Sequence, residues 1–262
     1  MRRLVATLLV LPLLAACRDH TVQVTFRPEV GAVYQYEVRV SSRSEIRLEG
    51  EEPEVTTDEV VLRSQHTVLD AGPLGVRVRV VLAQAGTVPQ AFVVRFDRSA
   101  QLESVEAVEG PTPDADAGGG LGISEIFPTA AGAPPDRRLA PGDTWRVDDE
   151  VVVPGSDAPA RLRGSGRLVE LGVVDGREVA RLASRATLRV ASSTVVGDLS
   201  LDGTQVIEQR ATYDLADGSV RSARSKTVGR FDVEVAPPVG TGSDAVPGTL
   251  RVEVTSTTTR LK

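Results

Sequence analysis

Residues Val33 to Val40 read VYQYEVRV, and every second side chain in this stretch is apolar or aromatic. Tyr34, Tyr36, Val38 and Val40 share one face of an extended chain, while glutamine, glutamate and arginine occupy the other. This period of two is typical of an antiparallel strand with one buried face and one face in water. The stretch therefore predicts a half-buried β-strand.

The same alternation recurs along most of the chain, whereas helical periodicity is nearly lacking. The predicted inward residues of three further strands are Leu74, Val76, Val78, Val80 and Leu82, then Leu182, Ala186, Leu188 and Val190, then Leu250, Val252 and Val254. Arginines take half of the intervening positions. We therefore expect a mainly β fold with very little helix, in which long antiparallel strands form a large curved sheet or half-open barrel.

The composition divides the chain into two halves. Residues 110–141 are rich in Gly, Pro and Ala and predict a linker or long loop between a first β half, 21–109, and a second β half, 142–262. Gly31-Ala-Val-Tyr34 opens the first half much as Gly142-Asp-Thr-Trp145 opens the second. Phe96-Asp97 and Tyr213-Asp214 then precede later strands. A duplicated meander explains this order, and so does the small set of turns available to β-hairpins.

Several predicted inward positions carry small or polar residues, namely Ser64, His66, Gly164, Gly166, Ser184 and Ala186. A curved sheet lined by small side chains is hard to fill at native packing density, which predicts a hollow interior. The alternative is that the glycines mark bends and close contacts between strands.

The first residues have the layout of a secretory signal peptide. Arg2 and Arg3 precede an apolar run from Leu4 to Leu14, which is shorter than the roughly 20 residues needed to span a bilayer. The run ends in Leu14-Ala15-Ala16-Cys17, which closely resembles the lipobox of bacterial lipoproteins. The resemblance implies cleavage of residues 1–16, a covalent lipid such as palmitate on Cys17, and a lipidated tether over residues 17–20.

The expected cellular location follows from that resemblance. It implies an envelope protein, anchored through its lipid on the extracytoplasmic side of a membrane. In bacteria with two membranes, Arg18 directly after the cysteine favours the outer one. The alternative is an ordinary secreted protein that is cut after Ala16 and keeps a free thiol.

The composition argues against nucleic-acid binding and against an enzyme. The formal net charge is -6, and no basic cluster is visible in the sequence. The chain has two histidines, His20 and His66, and one cysteine, so neither a zinc site nor a catalytic triad is expected. Gly-x-Ser-x-Gly does not occur either. We expect no catalytic residues and no cofactor beyond the lipid.

One acidic stretch resembles a calcium-binding loop. Asp114 and Asp116 take the first and third positions of a twelve-residue EF-hand pattern, and Glu125 takes the twelfth. Gly118 supplies no side-chain oxygen at the fifth position, and Pro111 and Pro113 oppose an entering helix. The stretch is read either as an acidic linker or as a Ca²⁺ site formed by those three carboxylates.

A lipobox followed by long antiparallel strands loosely resembles the half-barrel lipoproteins that carry lipids or lipoproteins across envelopes. Pro141 to Trp145 also resembles a recurrent element of uncharacterised envelope lipoproteins. The resemblance carries over no binding residue. The leading hypothesis is an apolar, lipid-like ligand in a β concavity, and a continuous hollow lined by Val60, Leu62, His66, Val76 and Leu188 would favour it. The alternative is a structural or protein-interaction module that uses its outer face or sheet edges. A third hypothesis, a carboxylate enzyme, requires two acids facing each other in a cleft.

Overall fold

The computed structural model describes residues 21–100, 102–109, 134–151, 160–196, 199–236 and 245–262. They form one antiparallel sheet of eleven strands. The strands are β1 (Val33–Leu48), β2 (Glu54–Gly72), β3 (Gly75–Gln84), β4 (Gln90–Phe96), β5 (Leu102–Glu109), β6 (Thr144–Val151), β7 (Ala160–Val174), β8 (Arg177–Val196), β9 (Leu199–Asp214), β10 (Val220–Val235) and β11 (Val246–Arg260). The expectation of a mainly β fold with long antiparallel strands is confirmed.

The sheet is open, and its order shows how the two sequence halves meet. The strands lie in the order β5-β4-β3-β2-β1-β11-β10-β9-β8-β7-β6, so β5 and β6 form the two edges of the described sheet. The first and last strands pair at the centre, from Tyr36 opposite Arg260 to Leu48 opposite Gly248. Both sequence halves therefore belong to a single sheet.

The two faces of the sheet differ as the period of two predicts. Tyr34, Tyr36, Val38 and Val40 are buried on what we call the inner face, and Arg39 lies exposed on the outer face. One prediction is wrong in detail. Leu74 is 80% exposed, because it belongs to the β2–β3 hairpin turn and not to the strand that follows.

The two halves begin with the same turn geometry. Gly31 and Gly142 have positive φ angles of 85° and 96°. The Gly31 amide donates to the carbonyl of Val68 at 2.9 Å, and the Gly142 amide donates to the carbonyl of Leu168 at 2.7 Å. Directly after Val68 and after Leu168, the ladder to the next strand shifts its register. These shared features support the duplicated-meander interpretation.

The chain before β1 crosses the inner face as a strap, which we define as residues 21–28. The Phe26 amide donates to the carbonyl of Arg98 at 2.5 Å, and the Arg27 amide donates to the carbonyl of Asp217 at 2.8 Å. Arg98 lies between β4 and β5, and Asp217 lies between β9 and β10. Six strand spacings would separate these turns by roughly 28 Å in a flat sheet. Two consecutive residues bridge them, so the sheet is strongly curved around the strap.

Residues 134–140, at the end of the segment predicted as a linker, are hydrogen-bonded to the strap. Val22 and Leu139 exchange backbone hydrogen bonds of 2.8 and 2.7 Å, and Leu139 is fully buried. The Ser99 hydroxyl donates to the carbonyl of Pro134 at 2.9 Å. This part of the predicted linker is therefore built into the core. The strap is not itself a strand of the sheet, whose first strand, β1, begins at Val33.

Aromatic rings occupy the space that the inward glycines leave. A Cβ atom added to Gly166 would lie 2.1 Å from the Trp145 ring, and one added to Gly229 would lie 2.5 Å from the Phe231 ring. A ring lying over a strand glycine supplies the packing that the missing side chain cannot. A Cβ on Gly164 would instead lie 2.1 Å from the Arg185 carbonyl oxygen on β8. Gly164 and Gly166 thus both serve close packing, and the hollow expected at these two positions is not found.

In the described part of the chain, no helix is long and apolar enough to cross a bilayer.

The strap predicts a difference in stability between two glycine variants. Gly218 has a φ of 73°, and a Cβ there would lie 2.0 Å from the Thr25 carbonyl oxygen of the strap. Gly31 has a φ of 85° but nothing within 4 Å of the same position. We expect Gly218→Ala to lower the free energy of unfolding by about 2–4 kcal/mol, from overpacking and backbone strain together.

Gly31→Ala is the matched control, because it retains only the backbone strain of about 1–2 kcal/mol. Urea denaturation of both variants measures the difference. Equal losses would show that the strap does not press on Gly218.

Candidate functional site

The candidate site lies on the inner face, on the half of β1, β9, β10 and β11 that is farther from the strap. Five of its apolar side chains are only half-buried, whereas Leu201 and Val233 at the far ends of β9 and β10 are buried like the residues nearer the strap. We call this surface the inner floor, formed by Ile207, Phe231, Leu250, Val252 and Val254, with Ser42, Ser44 and Thr227 between them. Register places these residues in adjacent rows across the four strands.

The inner floor carries no charged side chain. The inward residues of β1 from Ser42 to Leu48 are uncharged. The described residues that register places beside them on β11, β10 and β9 are aliphatic, aromatic, glycine or uncharged polar. The nearest inward acid on β2 is Asp58, which is paired with Ser42 at the flank and exposed. A surface of this kind suits an apolar molecule, since burial of apolar area is the main driving force available to it.

A row of polar side chains separates the inner floor from the packed half of the core. Ser256, Ser225, Gln209 and Ser184 lie in register on β11, β10, β9 and β8. Gln209 is 7% exposed, and its Nε2 has no hydrogen-bond partner among the described residues. Buried polar atoms are usually paired in proteins, so this amide is available to an acceptor or water that reaches the row.

A second polar group closes the curved sheet next to the strap. The Tyr34 hydroxyl donates to Asp217 Oδ2 at 2.9 Å, and Arg260 Nη1 donates to the Ser219 hydroxyl at 2.8 Å. The Arg260 guanidinium also lies 4.5 Å from the centre of the Tyr34 ring. Burial, reinforced by the Asp217 charge, raises the pKa of Tyr34, so the phenol stays protonated as a donor. The group joins β1 and β11 to the β9–β10 turn.

His66 is an interior histidine and lies away from the inner floor. Its ring centre is 4.8 Å from that of Tyr36 and 6.4 Å from that of Phe96. Although the residue as a whole is half-buried, loss of hydration around the ring lowers the pKa of His66 to about 3. The imidazole is therefore neutral at physiological pH.

The structure distributes the expected lining residues over several places. Val76 is packed in the core cluster around β3 and β4, Leu188 in the cluster of the second half, and Leu62 in a small cluster with Val38 and Val40. Only Val60 and His66 keep partial exposure. The predicted wall is thus largely core, and the open surface lies beside it on the central strands.

The remaining predicted site residues lie outside the described residues. This holds for Cys17 and His20 in the first twenty residues, and for Asp114, Asp116 and Glu125 of the proposed calcium loop. Within the ranges that are described, no group of three or more His, Cys, Asp or Glu side chains is placed to hold a metal ion.

Sequence reasoning missed Gln209, Asp217 and Arg260. Gln209 belongs to a strand whose alternation is interrupted by polar residues, so its inward direction is visible only from the register with Ser184 and Ser225. Asp217-Gly218 is a recognisable turn signal, but its partners Tyr34 and Arg27 lie far away in the sequence.

The state of His66 predicts an acid-sensitive fold. The native state holds this histidine neutral down to about pH 3, whereas the unfolded chain binds a proton near pH 6.5. The unfolded state therefore binds more protons between these values, and stability falls as the pH drops below 6.5. We expect a loss of about 2 kcal/mol at pH 5 relative to pH 8.

His66→Phe keeps a ring in the same place and removes the titration. Urea denaturation at pH 8 and pH 5 should show that the variant is less pH-dependent than the parent chain by that amount. The same pH dependence in both proteins would contradict the assignment.

The comparisons with known proteins do not place the chain in a family. No family model matches it, and no curated protein matches it. Among solved structures, a LolA superfamily protein from Nitrosomonas europaea is 11% identical in sequence, with 90% of each chain covered and a TM-score of 0.18. A similarity this low establishes neither a common fold nor a common function.

Proposed function

We propose that the chain is a non-enzymatic lipoprotein of the bacterial cell envelope, held on the extracytoplasmic side of a membrane by a lipid on Cys17. Its β body binds an apolar, lipid-like molecule on the inner floor. In a bacterium with two membranes, the outer one is the expected location.

The observation that carries the binding proposal is the contrast between the inner floor and the packed parts of the inner face around it. Near the strap, side chains such as Val38, Leu168 and Val80 are 0–1% exposed. On the inner floor, Phe231, Leu250 and Val254 keep part of their surface in contact with solvent. Each methylene of a ligand that leaves water for such a surface contributes about 0.8 kcal/mol. A long alkyl chain is therefore needed to offset the loss of translational and rotational freedom on binding.

Two titratable side chains of the interior, Asp214 and His66, have structural partners. The buried carboxylate of Asp214 accepts a hydrogen bond from Arg177 at 3.2 Å and lies in the β9–β10 turn region, away from the inner floor. His66 is held neutral between aromatic rings. Neither group faces a second acid across a cleft, which the third hypothesis would require.

A second candidate function is a structural or protein-interaction module of the envelope. The observation that favours it is the open sheet, whose edge strands β5 and β6 are each paired on one side only among the described strands. An open edge can accept a strand from another protein. Charged residues on β6, such as Arg146 and Asp148, are typical of edges protected against unspecific pairing.

Native mass spectrometry of the full chain, extracted from its membrane in mild detergent, separates these two candidates. We expect a copurifying small apolar molecule, released when the protein is unfolded. Protein that is free of any such molecule, and that crosslinks through β6 to another envelope protein, would favour the interaction module.

A pair of variants tests the inner floor. Val254→Glu places a carboxylate among half-buried apolar side chains, and a charge in an apolar site costs free energy on ligand binding. We expect binding of the neutral dye N-phenyl-1-naphthylamine to weaken about tenfold or more. Val61→Glu is the control, because Val61 is 41% exposed on the outer face of β2. Equal effects of both variants, at unchanged unfolding free energy, would place the dye elsewhere.

The anchor is tested separately. In cells fed radiolabelled palmitate, the parent chain should incorporate label and Cys17→Ser should not, because serine has no thiol to receive the diacylglycerol. Both chains should show the same urea transition. Equal label in the two proteins would contradict acylation at Cys17.

A further inference from the structure

A row of arginines crosses the outer face of the second half of the sheet. Arg167 on β7, Arg210 on β9 and Arg224 on β10 lie in register, with Ala183 on β8 between the first two. Arg210 and Arg224 are direct cross-strand partners. We call these three residues the arginine row. Like charges directly opposite each other on a sheet destabilise it, so this arrangement opposes stability.

The arginine row lacks the compensation that a similar pair receives elsewhere. Arg77 and Arg95 are also direct cross-strand partners, and both bind Glu106, at 2.7 and 2.6 Å. For the arginine row, no carboxylate lies within 4.0 Å among the residues that the structure describes. Three guanidinium groups on adjacent and nearby strands thus have free donors.

The row borders a depression in the outer face of about 580 Å³. Its lining holds five cationic side chains, namely Arg167, Arg185, Arg210, Arg224 and Lys226, and one carboxylate, Glu208. Ala183 forms a low point between Arg167 and Arg210, whose strands are about 10 Å apart. Two guanidinium forks on either side of such a gap suit a phosphate group, which arginine binds in a bidentate manner.

A second depression on the same face provides a contrast. It has a similar volume, about 610 Å³, and lies toward the end of the sheet away from the strap. Its four arginines include Arg230 and Arg251, which are also direct cross-strand partners, but Glu45, Asp202 and Asp232 line it as well. Its charge is thus nearly balanced. The excess of positive charge is a property of the arginine row and not of the outer face in general.

The arginine row lies at the corner where the first described residue is held. Thr144, at the start of β6, lines the depression beside Arg167. Its carbonyl accepts from Arg137 at 3.2 Å, and Arg138 next to it donates to the Thr21 carbonyl at 2.5 Å. Thr21 follows Cys17 by four residues (21 - 17) in the sequence. An anchor on Cys17 would therefore bring this corner close to a membrane.

One hairpin at the opposite end of the molecule is strongly acidic, although single exposed carboxylates such as Asp136 and Asp175 also lie at the end near the strap. The β1–β2 hairpin ends there, and its tip exposes Glu49, Glu51, Glu52 and Glu54. An anionic surface attracts the arginine row and repels this hairpin, and both effects orient the body in the same direction.

From this arrangement we propose that the arginine row binds phosphate headgroups of anionic phospholipids in the membrane that holds the anchor. The contact fixes the orientation of the β body, with the row against the surface and the acidic hairpin away from it. The proposal rests on the proposed lipid anchor for its proximity to a membrane. Because the contact is electrostatic and exposed, it weakens as salt shortens the Debye length.

The test uses the full chain as isolated from membranes, reconstituted into vesicles of phosphatidylcholine alone or with 30% phosphatidylglycerol, a composition chosen to be roughly membrane-like. After flotation, phenylglyoxal modifies accessible arginines, and mass spectrometry reads the rate at each position. We expect the reaction rates of Arg167, Arg210 and Arg224 to be lower in the anionic vesicles by a factor of about ten or more. Arg43, Arg230 and Arg251 are the matched controls, exposed on the same face, and should react equally in both.

Each outcome separates the arginine row from the anchor. Flotation on both vesicles with equal arginine rates would overturn the proposal and leave the anchor intact. Flotation only on the anionic vesicles, with protected arginines, would support the row and contradict the anchor. Equal protection of the control arginines would show unspecific charge attraction and overturn the site. Protection by inorganic phosphate in detergent, but not by chloride of the same ionic strength, together with equal arginine rates in the two vesicles, would assign the row to free phosphate instead of a membrane.

Discussion

The curvature of the sheet depends on two consecutive backbone amides. Phe26 and Arg27 donate to carbonyls of two turns that a flat sheet would hold far apart. An unpaired backbone donor inside the core is costly, so each of these hydrogen bonds opposes flattening. Gly218 makes the second contact possible, because any side chain there would collide with Thr25. The strap thus acts as a short tie between the two arms of the sheet.

Once the sheet is curved, the size of its inward side chains decides which part of the inner face is filled. Next to the strap, the packing is completed by Leu139, from the segment before β6, and by the rings of Tyr36 and Trp145. Farther away, serine, threonine and glycine separate the aliphatic residues, and these stay half-buried. The same curvature that closes one half of the concave face leaves the inner floor open. The proposed ligand site lies on the central strands, where these small residues leave the apolar side chains half-buried.

The two faces of the sheet offer different chemistry to the envelope. The inner floor is uncharged and suits an apolar molecule, whereas the outer face carries most of the ion pairs, such as Arg161 with Asp148. There, the hydrogen bond from Arg161 holds the pKa of Asp148 below its usual range, so this pair stays ionised in mild acid. The arginine row departs from this balanced pattern. Because these arginines have no carboxylate partner within the described chain, we propose an anionic partner outside it, the phospholipid headgroups.

The sequence alone determined the fold class and the direction of most side chains, because a period of two in stretches such as Val33–Val40 is a local property of an extended chain. It also predicted the paired turn glycines, Gly31 and Gly142, whose positive φ is required locally. The tertiary structure decided the β1–β11 pairing, the curvature and the position of the inner floor. These depend on contacts between residues more than a hundred positions apart, such as Tyr34 with Asp217, which no local pattern encodes.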